Sequence, residues 1–237
     1  MIWFFYSMAS KIPVHIVIIP DGNRRWAKEN GLGMLKGVEK SAELDNIVSL
    51  LDGASRLGIK FLSMWGFSTE NWSRSKTERD FIFELVFKSI ENLKVYAKKK
   101  KIKFRHIGRK DRLPKKVIMA LEEFEQNTAE NKGLNVQFLL DYGGRDEIVR
   151  AVNKIIQKGE KEIDEETFKE YLDTNEIPDP DLIIRTGGER RLSGLMSYQN
   201  AYSELYFTDI YFPDFDADEL KKAVNWFNGV ERKFGGD

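Results

Sequence analysis

The 237-residue chain has no cysteine and only two histidines, His15 and His106. The first absence excludes disulfides, thiolate nucleophiles and cysteine-ligated zinc, and the second excludes a histidine metal cluster. Charge of one sign is missing too, since 38 basic and 38 acidic residues give zero formal net charge. No global field therefore points to nucleic acid, and basic groups can act only locally. Long apolar runs are absent: the opening Met1-Ile2-Trp3-Phe4-Phe5-Tyr6-Ser7-Met8 is greasy but too short to span a bilayer and lacks the basic start of a secretion signal. Residues 1–11 read as a tail packed on the body or partly disordered, or else as an aromatic contact with a membrane surface. What these exclusions leave is a cytoplasmic enzyme, with oxygen-ligated Mg²⁺ as the simplest metal.

What is present is an alternation. Strand-like apolar runs occur at Val14–Ile19, Phe61–Phe67, Ile102–Ile107, Leu134–Leu140, Leu182–Ile184 and Leu205–Tyr211. Helical patterns fall near 39–57, 77–99, 114–131, 145–158, 164–173 and 216–229. This order predicts one α/β domain over 12–237, with a mostly parallel central sheet of about six strands flanked by helices. Pro114 suits a first helical turn, and Asp216 with Glu219 has capping-box spacing. The stretch Phe81-Ile82-Phe83-Glu84-Leu85-Val86-Phe87 is apolar around too much of a helix for one covered face. It reads either as a core helix that also meets a partner chain or as the wall of an apolar tunnel.

Three polar clusters follow strand-like runs. Asp21-Gly22-Asn23-Arg24-Arg25-Trp26 comes after Val14–Ile19 and Pro20. Glycine lets backbone N–H groups approach an anion, two guanidinium groups add charge, and a carboxylate can hold a divalent cation. Phe67-Ser68-Thr69-Glu70-Asn71-Trp72-Ser73-Arg74 follows the second run, and Arg185-Thr186-Gly187-Gly188-Glu189-Arg190-Arg191-Leu192-Ser193 the fifth. In parallel sheets ligands sit at the carboxyl ends of strands, and arginine forks match phosphate oxygens. The ligand implied is a metal-bound phosphate or diphosphate. Glu204, in Tyr202-Ser203-Glu204-Leu205-Tyr206-Phe207, is a further carboxylate, either functional or a plain edge residue.

The blocks HIVIIPDGNRRWAK at 15–28, FSTENWSR at 67–74, DYGGR at 141–145, IRTGGERRLS at 184–193 and YSELYFTD at 202–209 resemble, in order and spacing, the cis-prenyltransferases. That family includes undecaprenyl diphosphate synthase and its dolichol-pathway relatives. The resemblance implies Mg²⁺-dependent condensation of isopentenyl diphosphate with an allylic prenyl diphosphate, by a homodimer, giving a polyprenyl diphosphate that serves as a glycosyl carrier lipid precursor. It implies Asp21 as the critical metal ligand, with Glu204 as a second carboxylate for metal or diphosphate, engaged within one chain or across the dimer. Gly22, Asn23, Arg24, Arg25 and Trp26 would seat the allylic diphosphate. Ser68 and Asn71 would serve proton removal, and Thr69, Glu70, Trp72 and Arg74 would shape that pocket. Arg185, Arg191, Leu192 and Ser193 would bind isopentenyl diphosphate. No D-D-x-x-D pair of the all-helical trans-prenyltransferases occurs.

Two positions depart from the family pattern. Met34 stands where an arginine is usual and Val38 where a histidine is usual, and Arg24, Lys28 or Lys36 could restore the charge. The departures leave room for an alternative, a non-catalytic partner subunit of a heteromeric cis-prenyltransferase. Elsewhere, His15 reads as a satisfied core histidine, and Asp214, Asp216 and Asp218 as acids of a first helical turn. Lys98-Lys99-Lys100-Lys101 reads as a solvated helix end or a membrane-facing patch.

Overall fold

Every residue of the strand β1 (His15–Ile19) is buried, which a strand manages only with neighbours on both edges and cover on both faces. In the computed structural model, which describes residues 12–232, β1 lies inside a six-stranded sheet. Its other strands are β2 (Phe61–Ser68), β3 (Lys103–Ile107), β4 (Asn135–Tyr142), β5 (Leu182–Arg185) and β6 (Glu204–Phe207). They are ordered β3-β4-β2-β1-β5-β6, and every pairing is parallel. The parallel sheet of six strands matches the expectation from alternation. The tail over 1–11 lies outside the described residues.

The helices are α1 (Asn23–Glu29), α2 (Lys36–Ser41), α3 (Leu44–Arg56), α4 (Lys76–Lys100), α5 (Lys115–Thr128), α6 (Gly144–Lys158), α7 (Glu165–Glu170) and α8 (Ala217–Asn228). The single helix expected over 39–57 is two, because Glu43 adopts φ −59°, ψ 138° and breaks the run between α2 and α3. The last strand is shorter than the apolar run at 205–211. After Phe207 the chain leaves the ladder and packs across the β5 loop, with the Gly187 N–H donating to the Ile210 carbonyl at 2.8 Å. Pro114 sits just before α5 rather than in its first turn, and Asp216 caps α8 by accepting from the N–H groups of Asp218 and Glu219. Asp214 belongs to a separate 3-10 turn, Phe212–Asp214, so it is no α8 acid.

Side chains alternate across the sheet as strand geometry requires. Ile16 and Ile18 enter a large core with Leu62, Leu140, Leu182 and Ile184, while Val17 and Ile19 join Leu139, Ile183, Leu195 and Met196 on the other face. The buried ring of His15 has Nδ1 2.6 Å from the Pro178 carbonyl and Nε2 2.8 Å from Ser63 Oγ, which itself lies 3.2 Å from Gln137 Oε1. A carbonyl can only accept, so Nδ1 carries a proton, and burial outweighs this hydrogen bond to keep the ring neutral. Burial lowers its pKa from 6.5 to about 4.

A histidine kept neutral contributes stability above its unfolded pKa, and that contribution fades as pH falls toward the folded value. We expect about 3 kcal/mol of unfolding free energy to be lost between pH 7 and pH 4 through this one group. Urea unfolding across that interval measures it. The same interval should be flatter in His15→Gln, and an equal slope in both proteins would contradict the assignment.

Candidate active site

Three strand ends converge at the carboxyl edge of the sheet. β1 is in register with β5 so that Ile19 pairs with Arg185, which sets the loop after β1 beside the loop after β5. Asp21 is pinned there from several sides. Its backbone N–H donates to Thr186 Oγ1 at 2.8 Å, its Oδ1 accepts from the Gly22 N–H at 2.6 Å, and its Oδ2 accepts from Arg185 Nη2 at 2.8 Å. Arg25, one turn into α1, reaches Oδ1 from 3.3 Å. Burial alone would push the Asp21 carboxyl up. The Arg185 and Gly22 hydrogen bonds and the charges of Arg185 and Arg25 outweigh it, so the group sits below the usual carboxylate range and is ionised at neutral pH.

Arg185 is the buried centre of this arrangement, 5% exposed. Besides Asp21, it donates through Nη1 to the Arg191 carbonyl at 2.5 Å and to Ser193 Oγ at 2.8 Å, and its Nε–H is buried with no acceptor. Ser193 takes a left-handed φ of +54°, a strained conformation for a residue with a Cβ. The Arg191 side chain turns outward and pairs with Glu189, which also lies 3.9 Å from Arg25. The cluster therefore holds three guanidinium groups against two carboxylates. Gly187, at φ +81°, lets this loop press on the backbone of Asp21 and Gly22, where a Cβ would sit 2.9 Å from backbone atoms.

The second cluster forms a short 3-10 helix, Thr69–Ser73, at the end of β2. Ser68 and Asn71 form a reciprocal capping box, with Asn71 Oδ1 accepting from the Ser68 N–H at 3.1 Å. Trp72 is clamped. Its N–H donates to Asp141 Oδ1 at 2.8 Å, and the guanidinium groups of Arg79 and Arg112 lie 5.5 and 5.3 Å from its ring. Asp141 is fully buried at φ +52° and takes a second clamp from Arg112 Nε at 2.8 Å. Arg74 pairs with Glu78 at 2.9 Å, and the same carboxylate oxygen receives Arg24 at 2.5 Å.

Behind these groups lies a cavity of about 650 Å³. Asp21, Asn23, Ser68, Glu70, Asn71, Arg74, Arg185, Arg191 and Ser193 lie at its polar end, and apolar side chains from the sheet and from α3, α4 and α5 line the rest. Ile82, Leu85, Val86, Ile90, Leu93 and Ala97 supply the α4 wall. From Ile82 to Ala97 is about 22 Å at 1.5 Å of helical rise per residue. The face of Phe81–Phe87 that made the helix too apolar thus splits three ways. Ile82, Leu85 and Val86 line the cavity, Phe83 packs on Phe67 and Trp72, and Phe87 lies under the Lys116 ammonium.

Several residues singled out from sequence are elsewhere. The Trp26 N–H donates to Asp214 at 2.9 Å, and Trp26, like Trp72, is not among the cavity-lining residues. Leu192 packs with Trp65 and Ile177 on the opposite core cluster rather than into the cavity. Thr69 is held against Gly143. Glu204 pairs with Leu182 at the amino-terminal end of β6, three residues below the level of Arg185, and lies 3.8 Å from Arg232. Strand rise sets it roughly 10 Å from the carboxyl edge, so one chain does not bring Glu204 to Asp21. Met34 is 63% exposed and Val38 lines the cavity. Of the replacements considered for their charge, Arg24 is taken by Glu78 and Lys36 by Glu39. Thr186, Asp141 and Arg112 were not assigned roles from sequence. Thr186 and Asp141 lay inside the quoted blocks, which was the available signal, whereas nothing marked Arg112.

The whole of this site lies in the region matched by a prenyltransferase family model, described as "Putative undecaprenyl diphosphate synthase", over residues 19–235. The chain belongs to that family. Among its relatives, an isoprenyl transferase of Fusobacterium nucleatum is 44% identical over 97% of this chain and 98% of its own length. Another, of Aquifex pyrophilus, is 43% identical over 96% of this chain and 98% of the relative. Lavandulyl diphosphate synthase from Lavandula x intermedia, solved with dimethylallyl diphosphate, superposes with a TM-score of 0.91 at 36% identity, covering 95% of this chain and 99% of that one. A probable undecaprenyl diphosphate synthase of Campylobacter jejuni gives 0.81 at 32% identity, over 94% and 99%. The family and its named relatives support a catalytic cis-prenyltransferase and give nothing to the partner-subunit alternative. Among the described residues, no helix is long and apolar enough to cross a membrane.

Proposed function

We propose that this cis-prenyltransferase condenses isopentenyl diphosphate with an allylic diphosphate in a Mg²⁺-dependent reaction, building a polyprenyl diphosphate for use as a glycosyl carrier precursor. The observation that carries the reading is the junction of an ionised, arginine-bound Asp21 with a 650 Å³ apolar cavity. Charged head and isoprenoid tail each have a matching surface within one cleft. The Arg25–Arg185–Arg191 group is suited to bind anions, because guanidinium forks match diphosphate oxygens and its three positive charges exceed the two neighbouring carboxylates. We assign the isopentenyl diphosphate to Arg185, Arg191 and Ser193, and the allylic diphosphate to Arg25 and the backbone of Gly22, Asn23 and Arg24. Trp72 acts from outside the pocket, as a rigid post for the Ser68–Arg74 segment.

The donor set fits Mg²⁺ in one particular way. Among the described residues no three acidic or histidine side chains gather, so an all-protein cage is not built. Mg²⁺ commonly takes one carboxylate and completes its shell with water and substrate phosphate, and Asp21 can be that carboxylate. When bound, the ion would neutralise charge developing on the departing diphosphate. The chain's own contribution is to hold the anion's oxygens with fixed donors and to keep water from the reacting carbons with an apolar wall. Proton removal falls to the Ser68–Asn71 pair, whose capping box fixes both side chains, or to the departing diphosphate itself. Val38 leaves no imidazole at the cavity wall for that task. A homodimer is the quaternary form proposed, and it would be the route by which Glu204 could reach a second site.

Incubation with farnesyl and geranylgeranyl diphosphates, labelled isopentenyl diphosphate and Mg²⁺ tests the proposal. Chain extension that stops when the metal is chelated is the expected result. Absence of extension from any allylic starter would defeat it.

A further inference from the structure

The end of the cavity opposite Asp21 lies behind a rim of lysines. Ala97, Ile102, Phe104 and Val136 line that deep end, and each belongs to or adjoins the segment where α4 stops or where β3 and β4 begin. Lys98 and Lys99 occupy the last turn of α4, Lys101 is its left-handed cap, and Lys103 opens β3. Two further lysines are brought to the same rim by backbone pairing. Asn135, opposite Lys103, donates its N–H to the Lys60 carbonyl at 2.9 Å, and Gly133, next to Lys132, donates to the Lys101 carbonyl at 2.7 Å. All six side chains are exposed, and among the described residues none enters an ion pair or hydrogen bond through its ammonium group. Lys100, between them, is paired with Asp52 at 2.7 Å, and Glu130 is the nearby acid in sequence. A patch of this sign stands out in a chain whose net charge is zero.

The amino-terminal segment joins the body at the same place. The Val14 carbonyl accepts from the N–H groups of Lys60 and Phe61, and Ile12 and Val14 are 45% and 46% exposed. Two exposed apolar side chains beside clustered lysines suit an anionic interface, where each lysine adds to the attraction.

We propose that this rim docks the protein on a membrane surface bearing anionic headgroups, with the apolar floor of the cavity turned toward the bilayer. Six unpaired ammonium groups on one rim complement an anionic surface. A growing isoprenoid tail would then point from Asp21 toward the lipid. That second part rests on the function proposed above; the docking does not.

The test uses the full chain without substrate, in co-sedimentation with vesicles of phosphatidylcholine alone or mixed in equal parts with phosphatidylglycerol. Binding to the mixed vesicles only, weakening as salt is raised, is expected. Combined Lys98→Gln, Lys99→Gln, Lys103→Gln and Lys132→Gln should lower the partition by about tenfold or more, since each lysine near an anionic leaflet contributes comparably. Neutralising Lys115, Lys161, Lys169 and Lys222, at other places in the fold, should change it by less than about twofold. Equal binding to both vesicle types, or equal loss from the two lysine sets, would overturn the docking. Thermal melts that coincide with the parent protein exclude misfolding as the cause of any loss. Enzymatic turnover without vesicles, measured on the same variants, should be unchanged; if turnover is absent in every protein, only the proposed function fails.

Discussion

Asp21→Asn should lower turnover by at least about a thousandfold, or about 4 kcal/mol of transition-state stabilisation. The substitution keeps the shape and can still accept from the Gly22 N–H, so what it removes is charge. In the parent protein that charge faces the buried Arg185 fork at 2.8 Å and is held ionised by it. An amide in the same place cannot hold a divalent ion with comparable strength, and it leaves the guanidinium with a neutral partner. Stability should fall by only about 1–2 kcal/mol, because Arg185 keeps the Arg191 carbonyl and Ser193 Oγ as acceptors. Rapid-quench turnover and a denaturant titration separate the two effects. Turnover within tenfold of the parent would refute the metal and electrostatic role, whereas collapse of the fold would show that Asp21 is chiefly structural.

Gly37→Ala should be the most damaging added methyl among the described glycines. A Cβ at this position would overlap the backbone carbonyl oxygen of Asn23, and backbone cannot move aside as a flexible side chain does. The helices α1 and α2 touch at this glycine, and Ser41 Oγ donates to Asn23 Oδ1 at 2.6 Å to complete the contact. Forcing them apart should cost about 2–4 kcal/mol and displace the first turn of α1, where the allylic diphosphate is assigned. The expected signature is a raised KM for the allylic substrate together with a lowered Tm, at a smaller change in the KM for isopentenyl diphosphate. Gly33→Ala is the control, because a Cβ there meets nothing within 4 Å. If both substitutions are equally mild, the close approach of α1 to α2 is not what holds Asn23 in place.

Much of the fold could be read from period and punctuation. β1, β2 and β4 are short, mostly apolar runs, and the order of strands and helices admits little but a parallel sheet. What escaped was short or set by distant partners. The break at Glu43 has neither glycine nor proline to announce it. β6 ends earlier than expected because residues 208–211, which include Ile210 and Tyr211, pack against the loop after β5 instead of extending the ladder. At the site, the charged residues at strand ends were visible because polarity at the close of an apolar run is itself unusual. Their partnerships were not. Glu78 draws Arg24 and Arg74 together across fifty positions, and Arg112 reaches Trp72 and Asp141 from a loop with no distinguishing pattern. Trp26, Leu192 and Glu204, whose roles the resemblance implied, lie away from the cavity within one chain, because side-chain direction and strand register set their surroundings.

The strand order also decides when this protein can begin to work as it is made. β1 is synthesised early, yet one of its edges waits for β5, whose first paired residue, Leu182, lies 166 positions after Ile16. Asp21 and Arg185 are separated by 164 positions in the same way. Pairing so distant in sequence is slow and closes late, so a nascent chain on the ribosome carries an exposed, strongly apolar β1 edge for most of its translation. Catalytic competence thus arrives in a single late event, and a chain truncated before residue 182 would retain most of its helices while lacking Arg185, Arg191 and Ser193, the whole seat assigned to isopentenyl diphosphate.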